Sequence, residues 1–296
     1  MLNRILVPLD GSALAEQALA YAAELSRPTG ATLLLVRAAY AHTLPGVDPR
    51  ERKAGAIDEA EEYLSATAAA LGERGYACET LVPFGHSAEC ITEEARLHNA
   101  DLVVMTTHGR SGPGRLVFGS VAESVVARSS VPVLVARAWL PPQRQPFLPA
   151  QPLFVVPLDG SPFAEAALGP AISFADDFGA GLVLMRAEAE TGPVDEALDY
   201  LTGVQAQLAR QYPELSVLTD VRTADPAHAI HDGLLQTGAS LVVMATHGRG
   251  GVVRSVTGSV AGQVLKTGTA PLMLVRPTPF LADVEEASSL VVAVEV

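Results

Sequence analysis

Val7-Pro8-Leu9-Asp10-Gly11-Ser12 lies near the start of the chain, and Val156-Pro157-Leu158-Asp159-Gly160-Ser161 repeats it residue for residue. In both places a short apolar run meets a turn at Asp-Gly and an amphipathic stretch follows, the order of a strand feeding a helix. A second match pairs Thr107-His108-Gly109-Arg110 with Thr246-His247-Gly248-Arg249. The first pair is separated by 149 residues and the second by 139, so copy two is shorter by ten between them. Arg37 still matches Arg186 at the wider spacing, and Ile91 already matches Ile230 at the narrower one. The extra chain of copy one therefore runs from Ala39 to about Glu62, where His42, Pro45, Gly46, Pro49 and a run of charges read as an exposed loop leading into a helix. A period this long, used twice, means tandem domains rather than a solenoid.

Each copy alternates apolar runs with helical stretches. In copy one the strands are expected at Ile5–Leu9, Thr32–Arg37, Ala77–Val82, Leu102–Thr106 and Val131–Val135. They are short, continuously apolar and rich in Val and Leu, as parallel strands covered on both faces are. Helices are expected at Ala13–Ser26, Asp58–Gly72 and Ala88–His98, with a fourth from Ser120. Copy two repeats the plan with strands at Leu153–Leu158, Leu182–Arg186, Ser216–Val221, Leu241–Ala245 and Pro271–Val275. The fold class is α/β, two tandem doubly wound parallel-sheet domains joined by right-handed crossovers. The expected boundaries are residues 1–138 for the first domain, 139–152 for a stiff Pro-rich linker, 153–277 for the second domain and 278–296 for a tail. Ligands of such sheets sit beyond the carboxyl ends of the strands, where the strand order reverses.

Composition narrows the function classes. With 49% hydrophobic and 18% charged residues the 296-residue chain can bury large cores and is not disordered. A net charge of -13 disfavours nucleic acid as a partner. Two cysteines, Cys78 and Cys90, build no disulfide framework and read as reduced thiols. No apolar run approaches the ~18 residues that a membrane span needs, and the start reads as a strand rather than a leader, so the expectation is no membrane and a cytoplasmic protein.

The motif that carries chemistry follows the fourth strand. Copy one reads Thr106-Thr107-His108-Gly109, nine residues, then Gly119-Ser120; copy two reads Ala245-Thr246-His247-Gly248, nine residues, then Gly258-Ser259. Gly112 and Gly251 recur inside the loop, as do Arg115 and Arg254. A strand that ends in a glycine-rich turn and restarts as a helix brings backbone N–H groups and a positive dipole end together, which suits an anion such as phosphate. Arg110 and Arg115, with Arg249 and Arg254, would offset its charge. The alternative is an ordinary helix start, since Ser120-x-x-Glu123 also fits a capping box. Asp10 and Asp159 face the same cleft; either they bond a base or ribose, or they cap the next helix. Ser161-Pro162 favours Ser161 as cap and releases Asp159 from that role. His108 and His247 read as braces of the loop rather than catalytic bases. There is no Gly-x-x-x-x-Gly-Lys-Ser/Thr, no Gly-x-Gly-x-x-Gly in the first turn and no Gly-x-Ser-x-Gly, nor a metal-ligand cluster, so the metal expectation is none.

These residues resemble the universal stress protein family in its tandem form, across about 1–138 and 151–277. The resemblance rests on Ile5-Leu-Val-Pro-Leu-Asp-Gly-Ser12, on Met105-Thr-Thr-His-Gly-Arg-Ser-Gly112 with Gly119-Ser-Val-Ala122, and on Val131-Pro-Val-Leu-Val135. It implies the family's adenine nucleotide alpha hydrolase-like fold and its ATP-binding branch. Pro8 and Asp10, with Pro157 and Asp159, would then line the base and ribose end. The main chain near Val36 and Arg37, or Met185 and Arg186, would contact adenine. Thr106, Thr107, His108, Gly109, Arg110, Ser111 and Gly112 would wrap the phosphates in copy one. Ala245, Thr246, His247, Gly248, Arg249, Gly250 and Gly251 would do so in copy two. Gly119, Ser120, Val121 and Ala122, with Gly258, Ser259, Val260 and Ala261, would complete the sites. Two departures set this chain apart: Thr106 and Ala245 replace the first motif glycine, and Ala224 stands where copy one has Gly85.

The resemblance also implies that the final strands of the two domains pair to give a pseudo-dimer, with room for further self-association; the protein partner is unknown. The expected ligand is ATP, with or without magnesium. The leading function is an ATP-binding stress-response module in which occupancy sets conformation or partners. A slow ATPase or autokinase and a nucleotide-free dimerising scaffold are the alternatives. Turnover is expected to be low at most, because no carboxylate or histidine is placed by the sequence as a base. The loss of the capping box and of Gly85's counterpart predicts that the two sites are unequal.

Overall fold

A computed structural model of the chain describes residues 1–40, 48–107, 119–137, 147–246, 259–268 and 270–277. The chain divides into two compact units, Met1–Phe147 and Leu148–Val296.

In the N-terminal unit the elements run β1 (Arg4–Pro8), α1 (Ala13–Thr29), β2 (Thr32–Val36), α2 (Pro49–Gly72), β3 (Cys78–Leu81), α3 (Ser87–Leu97), β4 (Leu102–Thr106), α4 (Ser120–Arg128) and β5 (Val133–Ala136). The strand order is β3-β2-β1-β4-β5 and the pairings are parallel. Ile5, Leu6, Val7, Leu33, Leu34 and Leu35 are fully buried on both sheet faces, which is why these runs read as continuously apolar. Right-handed crossovers put α1 and α2 on one face. The chain then steps over β1 to reach β4, so α3 and α4 cover the other face, where they pack together. The order reverses between β1 and β4, so their carboxyl ends diverge into a crevice.

The C-terminal unit runs β6 (Leu153–Pro157), α5 (Pro162–Glu165), α6 (Leu168–Phe178), β7 (Gly181–Glu188), α7 (Val194–Gln211), β8 (Val217–Thr223), α8 (Pro226–Thr237), β9 (Leu241–Ala245), α9 (Ser259–Thr267) and β10 (Leu272–Val275). Its order is β8-β7-β6-β9-β10, again parallel. Four elements differ from the sequence expectation. The first helix of copy two is split into α5 and α6, because Pro170 has no N–H to donate to the Ala166 carbonyl. Strand β7 ends at Glu188 and β8 at Thr223, further than expected, and the two stay paired to that end. Helix α2 begins at Pro49, nine residues before the expected Asp58: Asp48 caps it by accepting from the Arg50 amide at 2.8 Å, with Pro49 in the first turn.

The ten-residue difference between copies can now be divided. Ala60, Leu64 and Leu71 are the buried residues of α2, and Ala197, Leu201 and Leu208 repeat that spacing among the buried residues of α7. Copy two has therefore lost twelve residues ahead of Ala197, part of them from the first turns of the helix, and regained two after Leu208.

Candidate functional site

The crevice of the N-terminal unit is a cleft of about 480 Å³, within the roughly 300–1,000 Å³ common for small-molecule sites. Pro8, Leu9 and Asp10 line it from the end of β1, and Met105, Thr106 and Thr107 from the end of β4. Val36, Arg37, Ala38, Ala39 and Tyr40 line it where the chain leaves β2, and Gly119, Ser120, Val121 and Ala122 where α4 begins. All the copy-one residues expected at the site that lie among the described ones are thus brought together. His108, Gly109, Arg110, Ser111, Gly112 and Arg115 lie outside the described residues, as do His247, Gly248, Arg249, Gly250, Gly251, Arg254 and Gly258.

Backbone bonding sets the positions. The Leu9 amide extends the β1–β2 ladder by one step, donating to the Val36 carbonyl at 2.8 Å. The chain then turns at Gly11, whose φ of 80° suits glycine alone, and Gly160 repeats it at 78°. Asp10 accepts from the Ser12 amide at 2.9 Å, while Ser12 caps α1 by accepting from the Ala15 amide. Neither Asp10 nor Asp159 is therefore the helix cap; Ser161 caps α5. Asp159 is nonetheless engaged: one of its oxygens accepts from both the amide and the hydroxyl of Ser161, at 2.9 and 2.6 Å.

The start of α4 corrects the capping-box alternative. Gly119, with φ −64° and ψ 145°, is the N-cap, and Ser120 is the first helical residue with no side-chain cap bond to the helix. Thr107 holds that point by accepting from the Gly119 amide at 2.8 Å, so the end of β4 and the start of α4 meet in the cleft. Free N–H groups at an uncapped helix start carry a partial positive charge. The hydroxyl of Thr106, which replaces the motif glycine, donates to the Leu14 carbonyl at 3.1 Å and ties β4 to α1. Gly85 has φ 153°, and among the described residues Ala224 does not share a positive φ. The alanine is accommodated by a different backbone.

Sequence reasoning missed the outer wall. Ala56 and Glu59 of α2 and Ser87 and Ile91 of α3 line the cleft. Arg37 pairs with Glu59, and its guanidinium lies 5.0 Å from the Tyr63 ring centre. In the C-terminal unit Arg186 lies 5.4 Å from the Tyr200 ring centre but pairs with Glu188 at 2.7 Å. The Arg–Tyr pairing joins the end of a strand to a helix and has no short-range sequence signal. The earlier start of α2 is what adds Ala56 to the cleft wall beside Glu59, and the Asp48-Pro49 dipeptide is the signal that would have revealed it.

Among the described residues no group of His, Cys, Asp and Glu is arranged to hold a metal ion, and no helix is long and apolar enough to cross a membrane. Cys78 and Cys90 are free thiols, and burial raises the pKa of each above its ordinary value.

Tandem parallel α/β units whose strand order reverses beside the first strand define a doubly wound class of fold. The chain belongs to the universal stress protein family, whose model matches residues 1–137 and 154–276. It is 28% identical over 234 residues to a universal stress protein of Mycolicibacterium smegmatis, covering 75% of this chain and 76% of the relative. A universal stress protein of Mycobacterium tuberculosis is 33% identical over 196 residues, 60% of this chain and 63% of the relative. The crystal structure of a universal stress protein from Archaeoglobus fulgidus matches with a TM-score of 0.73 at 20% identity, over 93% of this chain and 99% of its own. A putative universal stress protein from Pseudomonas aeruginosa gives 0.64 at 18%, over 97% and 98%. At these identities the likeness concerns the fold.

Proposed function

We propose that this protein is a nucleotide-responsive binding module that takes ATP, with magnesium as counter-ion, in the crevice of the universal stress protein fold. The observation that carries this reading is the start of α4. Its first turn opens into the cleft from Gly119 and Ser120 without a side-chain cap, facing Asp10 across the ends of β1 and β4. Phosphate oxygens suit those N–H groups, and the volume suits a nucleotide. Asp10 and the main chain at Val36 and Arg37 would take the ribose and base. The glycines from Gly109 to Gly112 would close on the phosphates, with Arg110 nearby. Magnesium would be carried by the phosphates, which fits the lack of a metal cluster among the described residues.

Occupancy would act as the signal. Binding would favour one conformation of the protein over others and so change which surface it offers to a partner. On this reading the working domains would be 1–138 and 153–277, and the compartment the cytoplasm.

The test is isothermal titration calorimetry with ATP-Mg on the full chain, beside mass spectrometry of ligands released from freshly purified protein. Saturable heat that is lost in Asp10→Ala is expected. An absence of heat, with no adenine nucleotide carried through purification, would leave only a scaffold.

A further inference from the structure

In the N-terminal unit the cleft continues outward past β2, where Ala39 faces Ala56 and Glu59 of α2. Glu188 holds the place of Ala39 in the C-terminal unit. The Gly85 amide donates to the Ala39 carbonyl at 3.0 Å, and the Ala224 amide donates to the Glu188 carbonyl at 3.0 Å. Ala39 bridges to Phe84, and Glu188 pairs with Thr223 at the same step. The shared register of α2 and α7 makes Glu196 the counterpart of Glu59. Arg186 nevertheless bonds Glu188 at 2.7 Å, and the two side chains are only 11% and 14% exposed. The Glu188 carboxylate also sits against the tight turn before α7, so close that a Cβ on Gly192 would come within 2.9 Å of its Oε2. A mostly buried charged pair thus stands in the C-terminal unit at the place that Ala39 holds in the other.

We propose that the two units are unequal sites, that the N-terminal unit takes the nucleotide, and that Glu188 keeps the C-terminal unit from taking it. This rests on the nucleotide reading above. A nucleotide entering the second crevice must break the bond between Glu188 and the mostly buried Arg186 guanidinium, or lie beside a carboxylate of its own sign. Residue 39 or 188 is the selector, and Glu196 waits as a substitute partner for Arg186.

Calorimetry of the full chain with ATP-Mg tests this. The expected stoichiometry is one nucleotide per chain, falling to none in Asp10→Ala. Glu188→Ala is expected to raise it to two, because Arg186 then turns to Glu196 and recreates the Arg37–Glu59 arrangement. The double variant Asp10→Ala/Glu188→Ala should return it to one, now in the C-terminal unit. Ala39→Glu should weaken the wild-type site at least tenfold; that position is buried, so its circular dichroism is compared first, and the Glu188→Ala series decides should it misfold. Two equal sites in the wild type, a full-affinity site left in Asp10→Ala, or a stoichiometry still at one in Glu188→Ala would each overturn the assignment. No heat in any variant would instead remove the nucleotide reading beneath it.

Discussion

The Tyr63 hydroxyl donates to the Glu16 carboxylate at 2.8 Å and so joins α2 to α1 beside Arg37. Copy two has the same device: Tyr200 donates to Glu165 at 2.7 Å, beside Arg186. The stretch from the arginine to the tyrosine is twelve residues shorter in copy two, yet both copies keep a tyrosine that links the two helices on one face of the sheet. The link ties together the two helices on that face and couples them to the position of an arginine.

Burial, first, and the bond to a carboxylate, second, hold both phenols far above the ordinary tyrosine range. A group whose folded pKa is raised contributes stability below its unfolded value, about 10 for tyrosine, and loses it as pH climbs beyond that value. The thermal midpoint of the wild type should therefore fall more steeply above about pH 10 than that of Tyr63→Phe/Tyr200→Phe. Calorimetric scans between about pH 8 and 11 check this, and parallel slopes would contradict it.

At neutral pH the two bonds should differ in weight. Glu165 is 8% exposed, whereas Glu16 is exposed. Tyr200→Phe leaves a buried carboxylate without its donor and should cost about 2 kcal/mol. Tyr63→Phe leaves a carboxylate that water can reach and should cost under about 1 kcal/mol. Urea melts of the two variants would show the order, and equal losses would mean that burial of Glu165 is not what gives its bond weight.

Much of this fold is legible in the sequence, for a physical reason. Runs such as Leu33–Val36 and Leu102–Met105 are covered on both faces, so every position is apolar and the runs announce themselves. The first turns of α2 do not: Arg50, Glu51, Lys53, Ala54 and Gly55 carry no apolar stripe, since most of that segment faces solvent. The cleft's inner residues were readable because they recur in both copies at fixed spacing. The Glu16–Tyr63 and Arg37–Glu59 contacts were not, because each depends on how two helices and a strand pack, and no spacing along the chain encodes that.

Ser120 gives a variant that separates stability from binding. It is the first helical residue after Gly119, whose ψ of 145° is the backbone that precedes proline comfortably. Proline is favoured at that helical position, so Ser120→Pro should leave the melting temperature within about 2 °C of wild type. It removes both the N–H and the hydroxyl from the cleft wall, so ATP-Mg affinity should fall about tenfold or more. Were Ser120 the cap, the same change would destabilise α4 instead, and a marked drop in thermal midpoint without ligand would reveal that.

Phe147 defines how far the N-terminal unit extends. It is 7% exposed, its ring centre lies 5.2 Å from that of Tyr21 on α1, and its amide donates to the Glu24 carboxylate at 3.2 Å. Burial first and Glu24 second raise the pKa of the Tyr21 phenol, as expected of a ring enclosed beside a carboxylate. Phe147→Ala should cost about 3 kcal/mol, near the low end for a buried aromatic since one side of the contact is chain at the unit's end. Phe147→Leu, which keeps much of the apolar contact, should cost about 1 kcal/mol. A protein ending at residue 147 should accordingly melt several degrees above one ending at 137. Matching midpoints for the two truncations, measured side by side by scanning calorimetry, would mean that the chain past β5 contributes nothing to the unit and that the Phe147 contact is incidental.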